Sequence, residues 1–379
     1  MRRRALLTSL ASGALAGLAG CADTSTPPET VRAGATREFV ASSPDAEIAG
    51  NWLAEEFRAR TETALTWETP PGALSAYVAR HLQGAAVDAD AFLGVTPATL
   101  ATARERTDDL FAPASGYDEV PDAYEFDPDA RVLPVTRSDV CLVYDETKVD
   151  PPETFGEFFS PAHAPLTLVP DPRTDALGRA FFTWSVREFG IYDACERWRK
   201  FLDAGAHLVT SSTDARTAYR DGLGGLLVGT STTPLFAARD RLNLERYRVQ
   251  FLDGAAYRHV EGVGRFADAV NPENADAFTR FLLNPNVQGR MAVLTGSLPV
   301  IEDAALPEDF DQYVRTPDTT VRPHYDLLAA SLDDWLAAYT ACYGVEIEAG
   351  HSVREAAELL VETRNVRDVA QLLTGVPER

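Results

Sequence analysis

Lysine is almost absent from this chain of 379 residues. Lys148 and Lys200 are the only two, and arginine supplies the rest of the 35 basic side chains. Aspartate and glutamate number 57, so the formal net charge is −22. Such a surface stays hydrated where concentrated salt screens its self-repulsion, which indicates a halophilic organism, an archaeon. The alternative is an ordinary acidic extracellular protein. Nucleic acid is excluded as a partner, because phosphate backbones are bound by basic patches and the sequence has none.

Motifs of catalysis and of metal binding are also missing. The sequence has no GxSxG, HExxH or GxGxxG motif and no phosphate-binding loop ending in Gly-Lys-Ser/Thr. The histidines show no metal-ligand spacing. They are dispersed at His81, His163, His207, His259, His324 and His351. We therefore expect neither an enzyme nor a bound cofactor or metal.

Cysteine is scarce, and long apolar runs are confined to the N-terminus. Beyond Cys21 there are only Cys141, Cys195 and Cys342. Their wide spacing forms neither a CxxC pattern nor a dense disulfide framework. Buried free thiols are the plainer interpretation, and one disulfide is the alternative. After residue 21 no apolar run approaches the length of about 18 residues that would span a membrane.

The N-terminus, by contrast, carries a strong export pattern. Three arginines, Arg2–Arg4, precede the uncharged run Ala5–Gly20 and then Cys21. This pattern predicts a secretory signal over residues 1–21, because a basic N-terminus is followed by an apolar segment too short to span a bilayer and then by small residues at the cleavage site. The paired arginines fit twin-arginine export, and a cysteine after Leu-Ala-Gly predicts cleavage and lipid attachment at Cys21. A chance cysteine in an ordinary signal is the alternative. We expect a protein tethered by lipid to the outer face of the cytoplasmic membrane.

Short β-rich runs alternate with helical runs along the rest of the chain. Residues 22–36 are rich in Thr, Pro, Ser and Ala, which favours a flexible stalk. Strands are predicted at Glu38–Ala41, Leu65–Glu68, Asp88–Gly94, Pro165–Pro170 and Gly225–Val228. Helices are predicted at Ala46–Arg58, Ala73–Leu82, Pro97–Arg106 and Leu177–Phe189. The alternation predicts an α/β fold whose mixed or parallel sheets are covered by helices.

Two longer strand-like stretches, Arg131–Tyr144 and Arg248–Val263, divide the body. We interpret them as two crossovers, so that residues 37–134 form a first lobe and residues 135–260 a second. Residues 261–345 return to the first lobe, and residues 346–379 form a helical tail packed on it. A helix follows Asn271 as N-cap, with an apolar face at Ala275, Phe278, Phe281 and Leu282. Two crossings make a hinge, and a ligand binds in the cleft at the strand ends.

Four groups of residues resemble one known family in the same order along the chain. The most specific is Leu168–Thr174, which reads Leu-Val-Pro-Asp-Pro-Arg-Thr and is followed by Gly178 and Phe181–Trp184. The others are Ala89 with Phe92–Gly94, Val143–Asp145 with Pro151-Pro152, and Phe281–Pro285 with Thr295-Gly296, Pro299-Val300 and Leu306-Pro307. Over roughly residues 38–340, the chain resembles the thiamine-binding subunit of ABC importers.

This resemblance implies a type II periplasmic-binding-protein fold and a receptor role. The receptor would close its two lobes on a small solute, thiamine or its phosphates, and dock on a permease driven by an ATPase. Such receptors are usually monomers. The matching loops also imply ligand contacts at Arg173, Thr174 and Asp175, which precede a predicted helix, and at Thr230, Ser231 and Thr232. A helix N-terminus suits a phosphate, although these residues could equally serve only as helix caps.

Further candidates come from other loops and from the crossovers. Ser42 and Ser43 end the first predicted strand and could cap the helix that follows or reach the ligand. Gly72 and Ser297 stand in loops that approach the solute in the family. Tyr257 matches a cleft-side tyrosine able to stack on a cationic ring, with packing at the hinge as the alternative. On the first crossover, Asp139 could pair with a cation and Arg137 with an anion, or the two could pair with each other.

Several positions depart from the family and keep other solutes open. Thr295–Leu298 stand where thiamine binders have a Trp and a Tyr, and the aromatic expected near Thr213–Ala215 is absent. A small polar or anionic solute is therefore an alternative. Ferric-iron binders share the fold but carry adjacent tyrosines on the second crossover, where Tyr257 is followed by Arg258. An enzyme on the same fold is a remote alternative.

Overall fold

A computed structural model describes residues 30–36, 40, 44–322 and 325–344. Its strands are β1 (Thr30–Ala35), β2 (Ala64–Glu68), β3 (Ala91–Val95), β4 (Val132–Tyr144), β5 (Thr167–Pro170), β6 (His207–Val209), β7 (Leu226–Thr230), β8 (Arg248–Gln250), β9 (Ala255–Arg265), β10 (Leu298–Pro299) and β11 (Thr319–Val321). Its helices are α1 (Pro44–Thr61), α2 (Leu74–Leu82), α3 (Pro97–Arg104), α4 (Phe155–Phe158), α5 (Ala176–Phe189), α6 (Ile191–Asp203), α7 (Ser212–Arg220), α8 (Thr233–Arg239), α9 (Pro272–Phe281), α10 (Pro285–Thr295), α11 (Phe310–Tyr313) and α12 (Tyr325–Gly344).

One mixed sheet runs through both lobes in the order β2-β1-β3-β9-β4-β7-β5-β6. In the first lobe, β1 pairs in parallel with β2 and β3. In the second, β5 pairs in parallel with β6 and β7. The long strands β4 and β9 pair with each other in antiparallel fashion between these halves. The α/β class with mixed sheets and two crossovers is therefore confirmed.

The two crossovers match the sequence expectation closely. β4 begins one residue after the predicted start and ends at Tyr144 as predicted. The second predicted stretch is interrupted after Gln250 by a turn, so β8 and β9 are separate strands. The register between β4 and β9 shifts between Pro134 and Thr136, and such an irregularity bends a strand locally. The shift lies where the sheet passes from one lobe to the other.

The core of the first lobe forms where α1 and α9 cover the sheet. Phe57 of α1 contacts Phe278 and Phe281 of α9 edge to face, with ring centroids 5.6 and 5.3 Å apart. Each such contact adds about 1 kcal/mol beyond the burial of the rings. The predicted apolar face of α9 is buried, as expected. Its N-cap residue Asn271 does not cap the helix, because its side-chain amide donates to the Thr30 carbonyl of β1 instead.

The second lobe has a core rich in aromatic rings. Phe155 and Phe158 of α4 pack against Phe181 of α5, and Phe155 also packs against Trp184. The predicted helix at residues 177–189 and the predicted strand at residues 165–170 are both present, within two residues at each end. This rigid layer holds the N-terminus of α5 against the interlobe cleft.

Helix α12 contacts both lobes. Leu328 and Leu332 pack on Ala101 of α3 in the first lobe. Tyr339 packs on Phe182 and Trp198 of the second lobe, with ring centroids 5.0 and 5.7 Å apart. The expected return of residues 261–345 to the first lobe is therefore wrong for the second half of α12, which packs on the second lobe. The physical reason is that α12 carries apolar side chains along its whole length, and these are buried against α3 in the first lobe and against α5 and α6 in the second.

The predicted stalk also needs correction. Thr30–Ala35, within predicted stalk residues 22–36, form β1 at the centre of the first-lobe sheet. Of the predicted strand at residues 38–41 only Val40 is described, and its backbone is helical. The predicted signal with Cys21, the candidates Ser42 and Ser43 and the tail at residues 346–379 lie outside the described residues. Within the described part of the chain, no helix has the length and hydropathy needed to cross a bilayer.

Candidate functional site

A cleft of ≈ 200 Å³ opens between the lobes, with the crossover strands at its base. The carboxyl ends of β1, β3 and β7 and the N-termini of α3, α5, α7 and α8 converge there. Its lining is dominated by hydroxyl groups and glycines. It consists of Thr36, Gly94, Thr96, Thr99, Ser138, Asp175, Ala176, Leu177, Ser212, Thr213, Arg216, Val228, Gly229, Thr230, Thr233, Phe236, His259, Glu261, Leu294, Thr295, Gly296 and Ser297.

The base of the cleft carries two titratable side chains, those of His259 and Glu261. Ser138 of β4 is opposite His259 of β9, and Thr136 is opposite Glu261. The Thr136 hydroxyl donates to Glu261 Oε2 at 3.4 Å, and His259 Nε2 lies 3.9 Å from Glu261 Oε1. Glu261 thus places a partly exposed carboxylate on the floor. Such a group can accept hydrogen bonds from a cationic or donor-rich solute.

Asp175 organises the second-lobe wall. Its carboxylate is buried and accepts from the amides of Gly178 at 2.9 Å and Ser212 at 2.7 Å. One oxygen caps α5, and the other ties α5 to the start of α7. Asp175 therefore lines the cleft with both oxygens already engaged. Its main effect is to aim two helix N-termini at the cleft, where their partial positive charge favours the negative end of a solute.

Of the hydroxyl-bearing residues Thr230–Thr233 at the end of β7, some line the cleft and others are buried in the core. Thr230 lines the cleft, and its hydroxyl lies 3.0 Å from that of Thr232 and 3.4 Å from that of Thr233. Thr232 is fully buried behind it. Ser231 is also fully buried, and its hydroxyl has no hydrogen-bond partner within the described part of the chain. Ser231 instead donates its backbone amide to the Asp139 carbonyl at 2.9 Å. Of the three predicted residues, only Thr230 faces the cleft.

Phe236 supplies the aromatic surface of the cleft. The Arg216 guanidinium lies over its ring, 5.1 Å from the centroid. Gly296, which directly follows α10, lies against the same Phe236 ring. A Cβ atom there would come within 2.2 Å of Phe236, and its φ of 68° is a conformation that suits glycine. Ser297 follows in the lining and shares a 2.7 Å hydroxyl contact with Thr295. The small residues Gly296 and Ser297 thus leave room for the Phe236 ring.

Arg137 and Asp139 do not line the cleft. Side chains alternate between the two faces of a strand, and Ser138 between them is the one that faces the cleft. Asp139 is buried and accepts from Arg137 Nη1 at 3.3 Å and Arg258 Nε at 3.2 Å. Both guanidinium groups lie over the Tyr124 ring. Of the interpretations left open, pairing of the two residues with each other is the one the structure shows.

Four other candidates also lie away from the cleft. Tyr257 is buried against Trp184, with ring centroids 6.4 Å apart, and burial raises the pKa of its hydroxyl well above the usual value. Arg173 is exposed and forms an ion pair at 2.5 Å with the buried carboxylate of Asp171. The Thr174 hydroxyl donates to the Thr210 carbonyl, and Gly72 lies in an exposed turn. The physical reason is local: Tyr257 is held by ring packing, while Arg173, Thr174 and the Gly72 turn have hydrogen-bond or ion-pair partners close to them.

Sequence reasoning missed much of the lining. The residues it did not single out include Thr36, Thr96, Ser138, Arg216, Phe236, His259 and Glu261. Two of them had a usable signal. Thr96 begins a Thr-Pro-Ala-Thr capping box at the end of β3. Neighbouring side chains of a strand point to opposite faces, so assigning Asp139 to the face away from the cleft would have placed Ser138 on the cleft face. The described residues contain no group of three or more His, Cys, Asp or Glu side chains placed to hold a metal ion.

A two-lobed mixed sheet, hinged on two long strands and enclosing a polar cleft, defines a ligand-binding protein of the periplasmic-binding type II class. Residues 52–317 match the family model described as bacterial extracellular solute-binding protein. The chain therefore belongs to this family of extracytoplasmic solute receptors. Residues 314–378 match a second model, described as a domain of unknown function.

Individual relatives agree with this family and fold. The chain is 24% identical over 264 residues to a thiamine-binding periplasmic protein of Salmonella typhimurium, covering 68% of this chain and 78% of the relative. A solved periplasmic thiamin binding protein superposes with a TM-score of 0.74 at 21% identity, covering 84% of this chain and 98% of the other. A ferric binding protein from Campylobacter jejuni superposes with a TM-score of 0.68 at 14% identity, covering 82% and 99%.

Proposed function

We propose that this protein is the extracytoplasmic receptor of an ABC importer, with thiamine or a thiamine phosphate as its solute. The observation that carries the receptor role is the cleft itself, which lies where β4 and β9 cross between the lobes. Bending at these strands opens or closes the cleft. The closed form is the one that the permease and its ATPase recognise. No chemistry is done on the solute.

The charges of the cleft support a solute with a cationic end and a polar or anionic end. Glu261 on the floor attracts a cation. Arg216, Ser212 and Thr213 lie together at the start of α7, where a hydroxyl or phosphate group finds donors. At ≈ 200 Å³ the cleft lies below the roughly 300–1,000 Å³ of drug-sized pockets, so the solute is small.

A ligand screen tests this proposal. The purified protein is titrated with thiamine, thiamine monophosphate and thiamine diphosphate by calorimetry, and its unfolding midpoint is measured with each compound. We expect at least one of the three to bind, and to raise the midpoint by mass action. Choline and pyridoxine serve as controls, because each shares only part of thiamine's chemistry. Failure of all three thiamine compounds would overturn the solute assignment.

An oxyanion is the second candidate solute. The hydroxyl groups of the cleft, Arg216 and the converging helix N-termini favour it. Phosphate, sulfate and small carboxylates are therefore included in the same screen. Binding of one of these without any thiamine compound would keep the receptor role and replace the solute. A protein that responds to none of them would contradict the receptor role as stated.

The cellular setting is a further part of the proposal. We propose export by the signal at residues 1–21, lipid attachment at Cys21 and function as a membrane-anchored monomer in a halophilic organism. Metabolic labelling with a lipid precursor, mevalonate for the isoprenoid lipids of an archaeon or a fatty acid for a bacterium, should mark the wild type and not Cys21→Ser. The fraction of folded protein should fall on transfer from molar to dilute salt. Light scattering should give the mass of one chain.

A further inference from the structure

The two buried cysteines Cys195 and Cys342 lie on facing helices. α6 and α12 pack together, and Trp198 meets Tyr339 with ring centroids 5.7 Å apart. Cys195 precedes Trp198 by one helical turn, and Cys342 follows Tyr339 by one turn. Because residues three apart share a helix face, each cysteine lies on the same face of its helix as the ring of this contact. A side-chain hydrogen bond joins the two thiols, so Cys195 lies opposite Cys342. Cys195 is fully buried and Cys342 nearly so.

The surroundings of Cys342 favour its thiolate. A hydrogen bond shared between the two thiols lowers the pKa of Cys342, and the positive charge of Arg199 lowers it further against the effect of burial. The same hydrogen bond and burial raise the pKa of Cys195. The Nε atom of Arg199 is buried and has no acceptor among residues 30–36, 40, 44–322 and 325–344. A thiolate on Cys342 is an acceptor of suitable charge.

We propose that Cys195 and Cys342 form a redox site that closes to a disulfide and fastens α12 to the second lobe. The Cys342 thiolate attacks one sulfur of an external disulfide, of a small molecule or of an oxidoreductase, and its thiolate leaving group departs. The Cys195 thiol loses its proton and attacks the mixed disulfide, which releases the second thiolate. Two protein thiols are thereby oxidised to one disulfide, and one external disulfide is reduced to two thiols by the same two electrons.

The position of this bond gives it a structural consequence. The first half of α12 packs on α3 of the first lobe through Leu328 and Leu332. A covalent bond at Cys342 would fix the other half to α6 of the second lobe. It would also close a long loop of the unfolded chain, and long loops gain the most from a cross-link in the chain-entropy account. Oxidation therefore stabilises the packing of α12 against both lobes.

The test begins with the full wild-type chain and oxidised glutathione as the external disulfide. After incubation and alkylation under denaturing conditions, we expect a proteolytic peptide containing Cys195 to be recovered joined to one containing Cys342. Cys141 should be recovered as an alkylated thiol, because it is buried alone on β4 and burial raises its pKa well above the usual value. Recovery of Cys195 and Cys342 as separate alkylated or glutathione-bearing peptides would overturn the proposal.

Stability gives an independent second measurement. We expect the unfolding midpoint of the oxidised wild type to exceed that of the reduced protein by roughly 5 °C. The double variant Cys195→Ala, Cys342→Ala should show equal midpoints with and without reductant, and Cys141→Ala should keep the wild-type difference. If the unfolding midpoint of cross-linked wild type did not change on reduction, the proposal that the disulfide stabilises the contact of α12 with both lobes would be wrong. Neither measurement depends on solute binding, so its outcome is separate from that of the proposed function.

Discussion

Asp139 and Arg258 form an ion pair of 3.2 Å across the two crossover strands, on the face that points away from the cleft. Arg137 completes the group from the other side of Asp139, at 3.3 Å. One residue along each strand, Ser138 and His259 face the cleft instead. The charges that a sequence reader would assign to solute binding thus hold the hinge together. This arrangement separates hinge stability from solute recognition, and the two can be tested apart.

Asp139→Asn should destabilise the protein without a large change in solute affinity. Removing the carboxylate leaves two neighbouring guanidinium groups without their shared counter-charge. Breaking such a buried pair costs about 3 kcal/mol of unfolding free energy, measured by denaturant titration. Affinity for thiamine should stay within about twofold, or 0.4 kcal/mol.

Asp88→Asn is the matched control for this change. Its ion pair with Arg32 is exposed, so we expect less than about 1 kcal/mol. If Asp139→Asn instead abolished solute binding in a folded protein, the separation of hinge and cleft would be wrong.

The ion pair of Asp145 with Arg246 should make stability depend on pH. Burial alone would raise the pKa of Asp145, but hydrogen bonds from Thr147 and Arg246 lower it overall. A carboxyl whose folded pKa lies below its unfolded value adds stability above the unfolded pKa. That stability is present above about pH 5 and is lost as pH falls through the folded pKa. Arg246→Gln should lower stability at pH 7 by about 3 kcal/mol and weaken this acid dependence.

Arg248→Gln controls for loss of a nearby arginine. Its pair with Glu146 is solvent-exposed, so the stability should change by less than about 1 kcal/mol. Unfolding curves between neutral and acid pH provide the comparison. Parallel stability profiles for wild type and Arg246→Gln would contradict the role assigned to this pair.

Gly178→Ala should disturb the second-lobe wall. Gly178 lies in the first turn of α5, and a Cβ there would come within 2.2 Å of the Pro170 carbonyl oxygen of β5. Because backbone cannot yield as a side chain does, we expect a loss of roughly 2 kcal/mol in unfolding free energy. Gly156→Ala in α4 is the control, since its nearest neighbour would be at 3.7 Å. Equal stability of the two variants would contradict this close approach of helix and strand.

Glu261→Gln should distinguish between the two candidate solutes. If the solute brings a cation to the floor of the cleft, loss of the carboxylate charge should weaken binding about tenfold, or 1.4 kcal/mol. An oxyanion should instead bind as tightly or more tightly. Glu125→Gln is the control, because Glu125 lines a separate depression on the face of the hinge that carries Arg258. Calorimetric titration of both variants gives the answer, and unchanged affinity would remove Glu261 from solute recognition.

Much of the fold could be predicted because its signals are local. The crossover β4 is a long β-rich run, and α9 shows a clear apolar face with a proline in its first turn. β1 was missed because its alternation is confined to Thr30–Ala33, and the small residues Gly34 and Ala35 that follow make the segment resemble a linker. The path of α12 across both lobes was equally hidden, since its apolar residues do not say which surface they will meet.

The candidate site was predicted less well, and the reason is geometric. A loop can be placed at the mouth of a cleft from its position after a strand, as for Thr230 and Asp175. The direction of one side chain depends on register, and a shift of one residue turns Asp139 away and Ser138 toward the solute. Phe236 and Glu261 are far apart in the chain, and only the closing of the sheet between the lobes brings them to one cavity.

By itself, the sequence determined the α/β class, the two crossovers and the family, because these follow from hydrophobic periodicity and from short motifs along the chain. Tertiary structure alone decided which charges serve the hinge, which hydroxyls face the cleft and which cysteines meet. Those outcomes depend on strand register and on helix packing between distant segments, and local sequence carries only part of that information, as at Thr96 and Ser138.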